Sequence, residues 1–157
     1  YWDNHGISPT NEEFAIFAKM KNALSLKYGF FPPELFPWRT IRDALINIPS
    51  VGDENHFPSE HIIRDGAREY PGHTGSPVDD PAKTVKAGSH GVPGGENMIK
   101  FPDGTLRYFT IFEAKRLQTF PDEYRIVGSW TEAMRQLGNA VPVKLAQIIS
   151  SSILACL

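Results

Sequence analysis

The chain has 157 residues, 41% of them apolar and 22% charged, one domain's worth of ordinary globular sequence rather than a disordered or fibrous chain. Its 16 basic and 18 acidic side chains give a net charge of −2, which argues against a strongly basic nucleic-acid binder. The longest apolar run, 148–157, is interrupted by Ser150, Ser151 and Ser152 and falls short of the roughly 20 residues that span a bilayer, so no membrane role is expected.

The first predicted helix follows Thr10-Asn11-Glu12-Glu13, a capping-box pattern, with Phe14, Phe17, Met20 or Lys21, and Leu24 at helical spacing and Gly29 as its stop. An aromatic, proline-rich connector runs from Phe30 to Trp38, where the prolines deny a helix. A short helix comes next, capped by Thr40 and Asp43, with Ile41, Ala44, Leu45 and Ile48 on its apolar face and Pro49 at its end. From Val51 to Pro81 the chain is polar and irregular, with at most a weak helix over 60–67; a loop this long in a compact domain is functional or poorly ordered. Strand signals lie at 83–87, 97–101 and 105–109, with Pro102-Asp103-Gly104 as a hairpin turn between the last two.

The last fifty residues read as helical. Thr110-Ile111-Phe112-Glu113 is a second capping box, opening a helix that ends before Pro121. Ser129-Trp130-Thr131-Glu132 is a third, with Gly138 as its stop. Val141-Pro142 permits Pro at the first turn of a closing helix over 141–157, apolar on more than one face through Val143, Leu145, Ala146, Ile148, Ile149, Ile153 and Leu154. So apolar a helix requires a large partner surface.

Charge is unevenly placed: residues 1–80 hold 7 basic and 12 acidic side chains, residues 81–157 hold 9 and 6. A polyanion contact is therefore expected in the second half. The single cysteine, Cys156, excludes an internal disulfide framework and a cysteine-based zinc site, which makes an intracellular setting the default. With no basic neighbour, Cys156 reads as inert packing in the last helix rather than as a nucleophile. Tyr1-Trp2-Asp3-Asn4-His5 shows no signal pattern and starts abruptly, as a piece cut from a longer protein does.

Two segments carry candidate chemistry. Gln136-Leu137-Gly138-Asn139-Ala140-Val141-Pro142 places small and polar residues at a turn that opens a helix, where free backbone N–H groups suit a polar small molecule. The plainer reading is a helix-to-helix turn using Gly and Asn for left-handed φ. The glycine-rich segment from Ala87 to Asn97, flanked by Lys83, Lys86 and Lys100, permits close backbone approach to a phosphate or base; a flexible hairpin connection is equally consistent with it. His73 and His90, with Asp79 and Asp80 between them, lack the paired spacings of a metal site and read as solvated loop histidines, so no metal is assigned.

The run from Arg107 through Glu113-Ala114-Lys115-Arg116-Leu117-Gln118-Thr119-Phe120-Pro121-Asp122 to Tyr124, followed by Gln136-Leu137-Gly138-Asn139-Ala140-Val141-Pro142, strongly resembles the last two motifs of DNA cytosine-5 methyltransferases. Asp80-Pro81-Ala82-Lys83-Thr84-Val85-Lys86-Ala87-Gly88 is similar to the end of that family's target-recognition region, and Arg39-Thr40-Ile41-Arg42-Asp43-Ala44-Leu45 to the segment before it. The resemblance covers nearly all of this chain but only the C-terminal portion of the family. The family's Pro-Cys pair, Glu-Asn-Val motif, glycine-rich cofactor loop and Arg-x-Arg motif have no counterpart here. In that family the cysteine attacks C6 of a flipped-out cytosine and C5 takes the methyl group of S-adenosylmethionine.

The resemblance implies an α+β fold: a small target-recognition domain with a short twisted sheet over 1–128, and closing helices over 129–157 that complete an α/β domain supplied by other sequence. It assigns Asn139 and Ala140 to the S-adenosylmethionine pocket and no catalytic residue to this chain. It places Thr84, Lys83, Lys86, Gly88, His90 and Gly91 against double-stranded DNA, and makes Arg107, Glu113 and Arg116 a brace of the recognition region. From spacing alone Glu113 and Arg116 read as a local ion pair compatible with that role. The implied partners are DNA and the catalytic N-terminal half, in the same or a separate polypeptide. The implied setting is bacterial restriction–modification, in the cytoplasm at the nucleoid. Two rival readings are a catalytically dead DNA-binding remnant and a protein-interaction module docking through Phe30–Trp38.

Overall fold

Helix starts in this chain are set by hydroxyl residues. In the computed structural model, which describes residues 1–29, 38–51, 60–86 and 97–157, Thr10, Thr40 and Thr110 each accept from the backbone N–H three residues on. Glu13, Asp43 and Glu113 respectively return the bond to the cap backbone. Ser129 accepts from the Glu132 N–H in the same way. The chain folds as two compact units, 1–37 and 38–157.

In the first unit α1 (Trp2–His5) is followed by α2 (Asn11–Tyr28), which stops at Gly29 with φ 63°. Trp2 meets Phe17 edge-on at 5.5 Å. No residue of α2 is buried, and Phe14, Phe17, Met20 and Leu24 stay exposed. The connector 30–37 lies outside the described residues.

In the second unit α3 (Ile41–Ala44) is shorter than the predicted helix. The chain leaves it through Leu45 and takes a left-handed φ of 55° at Asn47, so the apolar spacing to Ile48 ends in a turn ahead of Pro49. The weak helix over 60–67 is absent, because Glu60 and His61 are drawn inward by polar contacts rather than arrayed on a helical face. A three-stranded sheet follows in the order β1 (Ser76–Pro77), β2 (Met98–Lys100), β3 (Leu106–Tyr108). β1 runs parallel to β2 with Ser76 opposite Ile99, and β2 runs antiparallel to β3 with Ile99 opposite Arg107. The hairpin turn forms as expected, with Gly104 at φ 85° and the Thr105 N–H donating to Asp103 Oδ1. Gly75 leads into β1 at φ 76°, a left-handed backbone that favours glycine, and an added Cβ 2.7 Å from Leu106 Cδ1 would force that side chain to shift.

The strand expected at 83–86 is not one. Its alternation persists, with Val85 buried and Thr84 and Lys86 exposed, but the Lys83 N–H donates to Ser76 Oγ rather than to a strand ladder. Ala87 lies outside the described residues.

α4 (Ile111–Leu117), α5 (Trp130–Asn139) and α6 (Val143–Leu154) complete the unit. Its core joins Ile41, Ile99, Phe109, Ala114, Met134 and Leu137, with Trp130 and Phe120 packed on the outside. α5 buries Ala133, Met134 and Leu137, whereas α6 buries nothing. Cys156, expected to pack in the last helix, lies just beyond α6 and is exposed within this chain. Among the described residues one stretch, Trp130–Leu154, is long and apolar enough to cross a membrane. It is two helices broken at Ala140–Pro142, the first of them committed to the core.

Gly138 does not stop α5. The helix runs to Asn139, and neither Gly138 nor Asn139 takes a positive φ, so the left-handed-turn reading of this pair is overturned. The carbonyl of Leu137 accepts locally from the Ala140 N–H at 3.2 Å and, from across the core, from Gln118 Nε2 at 3.0 Å.

Candidate functional site

α4 is short, but nearly every residue on it holds a different segment. The Thr110 hydroxyl at its start lies 2.8 Å from His61 Nδ1, and the Phe112 N–H donates to the Glu60 carbonyl. Glu113, 2% exposed, takes both terminal nitrogens of Arg107 from β3 at 2.7 and 2.6 Å while also capping Thr110 N. Lys115, fully buried, donates to Glu60 Oε2 at 2.7 Å and to the carbonyls of Asp122 and Tyr124 at 2.8 Å each. Arg116 grips Asp122 through two bonds and reaches the Ile46 carbonyl beyond α3. At the end of the helix Gln118 binds the last turn of α5.

The local Glu113–Arg116 ion pair is therefore replaced by two longer ones. Glu113 faces inward, where its capping bond already fixes it, and Arg107 is the cation that arrives there. Arg116 turns outward to Asp122, whose carboxyl it holds below the usual carboxylate range by hydrogen bonding. Both pairs are bidentate, the strong form of the arginine–carboxylate contact. Glu60, His61, Lys115 and Gln118 were not picked out by sequence. Lys115 and Gln118 left a trace: they continue the spacing of Ile111, so a charge and an amide occupy core positions. Glu60 and His61 left none, since they sit in an irregular segment.

In the Thr10 and Thr40 boxes the threonine hydroxyl lies 2.8 and 3.0 Å from the partner carboxylate. At Thr110 it faces His61 instead, donating to Nδ1, and the Nε2–H then donates to the Pro49 carbonyl at 3.0 Å. Burial is the main cause that lowers the His61 pKa from its ordinary 6.5; Glu113 works against it, and Arg107 and Arg116 with it. The fold thus prefers neutral His61. Stability from this group is fully present above pH 6.5 and is lost as the pH falls through 6.5 toward the lower folded-state value. Urea unfolding is expected to show a lower midpoint at about pH 5.5 than at about pH 8, with the difference reduced in His61→Gln. An undiminished difference in the variant assigns the titration to another group.

The residues expected at DNA divide. Thr84, Lys83 and Lys86 are exposed, with Lys83 Nζ 3.2 Å from Thr74 Oγ1. Gly88, His90 and Gly91 lie outside the described residues. Lys100 is paired with Glu69, and Asp79 with Arg42. His73 is not a solvated loop side chain: it is half-buried and stacks on Tyr70 at 4.4 Å. Of the expected cofactor residues, Asn139 is exposed, with no hydrogen-bond partner for its amide among the described residues, and Ala140 is half-buried. The first N–H groups of α6 are not free, against expectation. Val143 N donates to the Gln118 carbonyl and Lys144 N to Thr119 Oγ1.

Lys83 and Thr84 of the first set and Ala140 of the second nevertheless meet. Lys83, Thr84 and Val85 from one side, Gly138, Ala140 and Pro142 from the other, line one cavity of about 250 Å³ whose floor is Leu117 and Gln118. A glycine and an alanine on one wall leave it open.

Comparison with known proteins bears on this arrangement. Residues 15–155 match the family described as C-5 cytosine-specific DNA methylase. The chain is 36% identical over 113 residues to the type II methyltransferase M.NgoFVII of Neisseria gonorrhoeae, covering 72% of this chain and 29% of that protein. It is 27% identical over 181 residues to M.BsuRI of Bacillus subtilis, covering 96% of this chain and 39% of that protein. A shorter stretch is 47% identical over 55 residues to M.AplI of Arthrospira platensis, 35% of this chain and 16% of that protein. The chain thus spans well under half the length of these curated relatives.

Proposed function

The chain belongs to the C-5 cytosine-specific DNA methylase family, and from that premise we propose that it is the DNA-recognition and closing part of a DNA cytosine-5 methyltransferase. In this reading residues 1–128 form the target-recognition domain with its brace, and 129–157 close the catalytic domain. The missing catalytic part, in the same or a separate polypeptide, brings the nucleophilic cysteine. The enzyme methylates C5 of a flipped-out cytosine in a specific duplex site, in a bacterial restriction–modification setting at the nucleoid.

The observation that carries the reading is α6. Twelve residues long, it buries none of them, and Leu145, Ile148, Ile149 and Ile153 are 48 to 59% exposed. An apolar surface of this kind is favourable only when covered, and the catalytic half is the cover this reading supplies.

S-adenosylmethionine would supply the methyl group. The residues present fit one edge of it: Gly138 and Ala140 line the cavity without filling it, and Asn139 between them in sequence carries an exposed amide. Thr84 and Lys83, on the facing wall, would hold a DNA phosphate, positioning the duplex without reading it. α4 would keep the Gly138–Ala140 wall in place through Gln118, and the Arg107–Glu113 pair would hold the β2–β3 hairpin.

The test is transfer of labelled methyl groups from S-adenosylmethionine to duplex DNA. No transfer is expected from this chain alone, and transfer is expected once it is mixed with the polypeptide bearing the Pro-Cys motif. The double variant Lys83→Ala, Lys86→Ala should then bind DNA more weakly and with a shallower salt dependence. A folded, Pro-Cys-bearing partner that yields no transfer in the mixture would overturn the reading, as would transfer by this chain alone.

A further inference from the structure

The segment 138–142 is held at both ends by the two residues that follow α4. Before it, Gln118 Nε2 donates to the Leu137 carbonyl at 3.0 Å. After it, the Val143 N–H donates to the Gln118 carbonyl at 3.1 Å, and the Lys144 N–H to Thr119 Oγ1 at 2.9 Å. Gln118 is buried, and it forms part of the floor of the cavity shared by Thr84 and Ala140.

Thr119 makes this contact from a left-handed backbone, φ 58°. A β-branched residue is seldom found there, and such a conformation persists only where the surroundings over-determine it. A glycine would adopt it without cost but would offer no oxygen to Lys144 N.

We propose that Gln118 and Thr119 are positioning residues for the cofactor edge, a clamp that fixes the separation of α5 and α6 and so the placement of Asn139 and Ala140. The inference rests on the reading of Asn139 as a cofactor contact. The clamp's role is to place Asn139 and Ala140, not to bind the cofactor or DNA itself. It acts by denying the segment its alternative conformations, since a turn with both flanking helices pinned loses its freedom before the ligand arrives.

Two readouts test it. Amide exchange on this chain is expected to show the Lys144 N–H protected in the wild type and in Thr119→Ser, and exposed in Thr119→Gly. In the completed methyltransferase, calorimetry with S-adenosylmethionine is expected to give about a five- to tenfold weaker Kd for Thr119→Gly and Gln118→Leu, with Thr119→Ser close to wild type and DNA affinity little changed. Wild-type-like cofactor binding in both variants would overturn the clamp while leaving the functional reading intact. Equal losses for cofactor and DNA would also overturn it, as a general loosening. A wild-type enzyme that binds no S-adenosylmethionine would remove the functional reading and the clamp's role with it.

Discussion

Lys115→Ala is expected to destabilise the chain by about 3–5 kcal/mol, the cost of removing one partner of a buried ion pair. The Lys115 side chain is fully buried and its ion-pair partner Glu60 is 4% exposed. The ammonium spends its three donors on Glu60 Oε2 and on the carbonyls of Asp122 and Tyr124. Its loss strands two carbonyls as well as a carboxylate oxygen, and the other Glu60 oxygen keeps only the Ile126 N–H and a distant Arg125. A domain of this size has about 5–15 kcal/mol in total, so the variant should be close to unfolding. Urea unfolding at one pH measures the loss. The double variant Lys115→Met, Glu60→Gln should lose less than the two single losses combined, because it removes the orphaned charge. A single-variant loss below about 1 kcal/mol would mean that water reaches the pair.

The parts of this fold that could be read from sequence are those decided within four residues. A threonine followed three residues later by an acid specifies a helix start without reference to anything else, which is why 10, 40 and 110 were placed correctly. Pro102-Asp103-Gly104 is local in the same sense. What failed depended on partners far away in sequence. Gly138 reads as a stop because nothing near it announces that Gln118 reaches across to the Leu137 carbonyl, which also takes the Ala140 N–H. The 83–86 segment has the alternation of a strand, but the neighbouring position in the sheet is taken by Ser76 and Pro77. Glu113 and Arg116 have the spacing of an ion pair, and the competing partners lie on β3 and at Asp122. The candidate site follows the same division. Its motif residues are proposed through resemblance. That the Thr84 and Ala140 segments line one cavity is a tertiary fact that no spacing encodes.

Arg107→Ala is the second large effect expected, and it separates fold from function. The guanidinium lies over the Phe101 ring at 5.3 Å, donates to the Tyr108 carbonyl, and grips Glu113 with two nitrogens. One side chain thus ties the β2–β3 hairpin to α4. Removing it leaves Glu113, 2% exposed, with the Thr110 N–H as its main donor, and a buried carboxylate so stripped costs about 3–5 kcal/mol. Arg107→Lys keeps the charge but cannot supply the fork, so it should fall between. The hairpin borders the segment assigned to DNA, whereas the Gln118–Thr119 contacts with α5 and α6 do not involve Arg107. In the completed methyltransferase at a temperature where Arg107→Lys remains folded, KM for duplex DNA should therefore rise about tenfold while KM for S-adenosylmethionine stays within about twofold. If both constants rise together, Arg107 stabilises the whole unit and the brace has no particular bearing on recognition. If only the DNA constant moves, the Arg107–Glu113 pair holds the recognition surface at a fixed angle to the catalytic half.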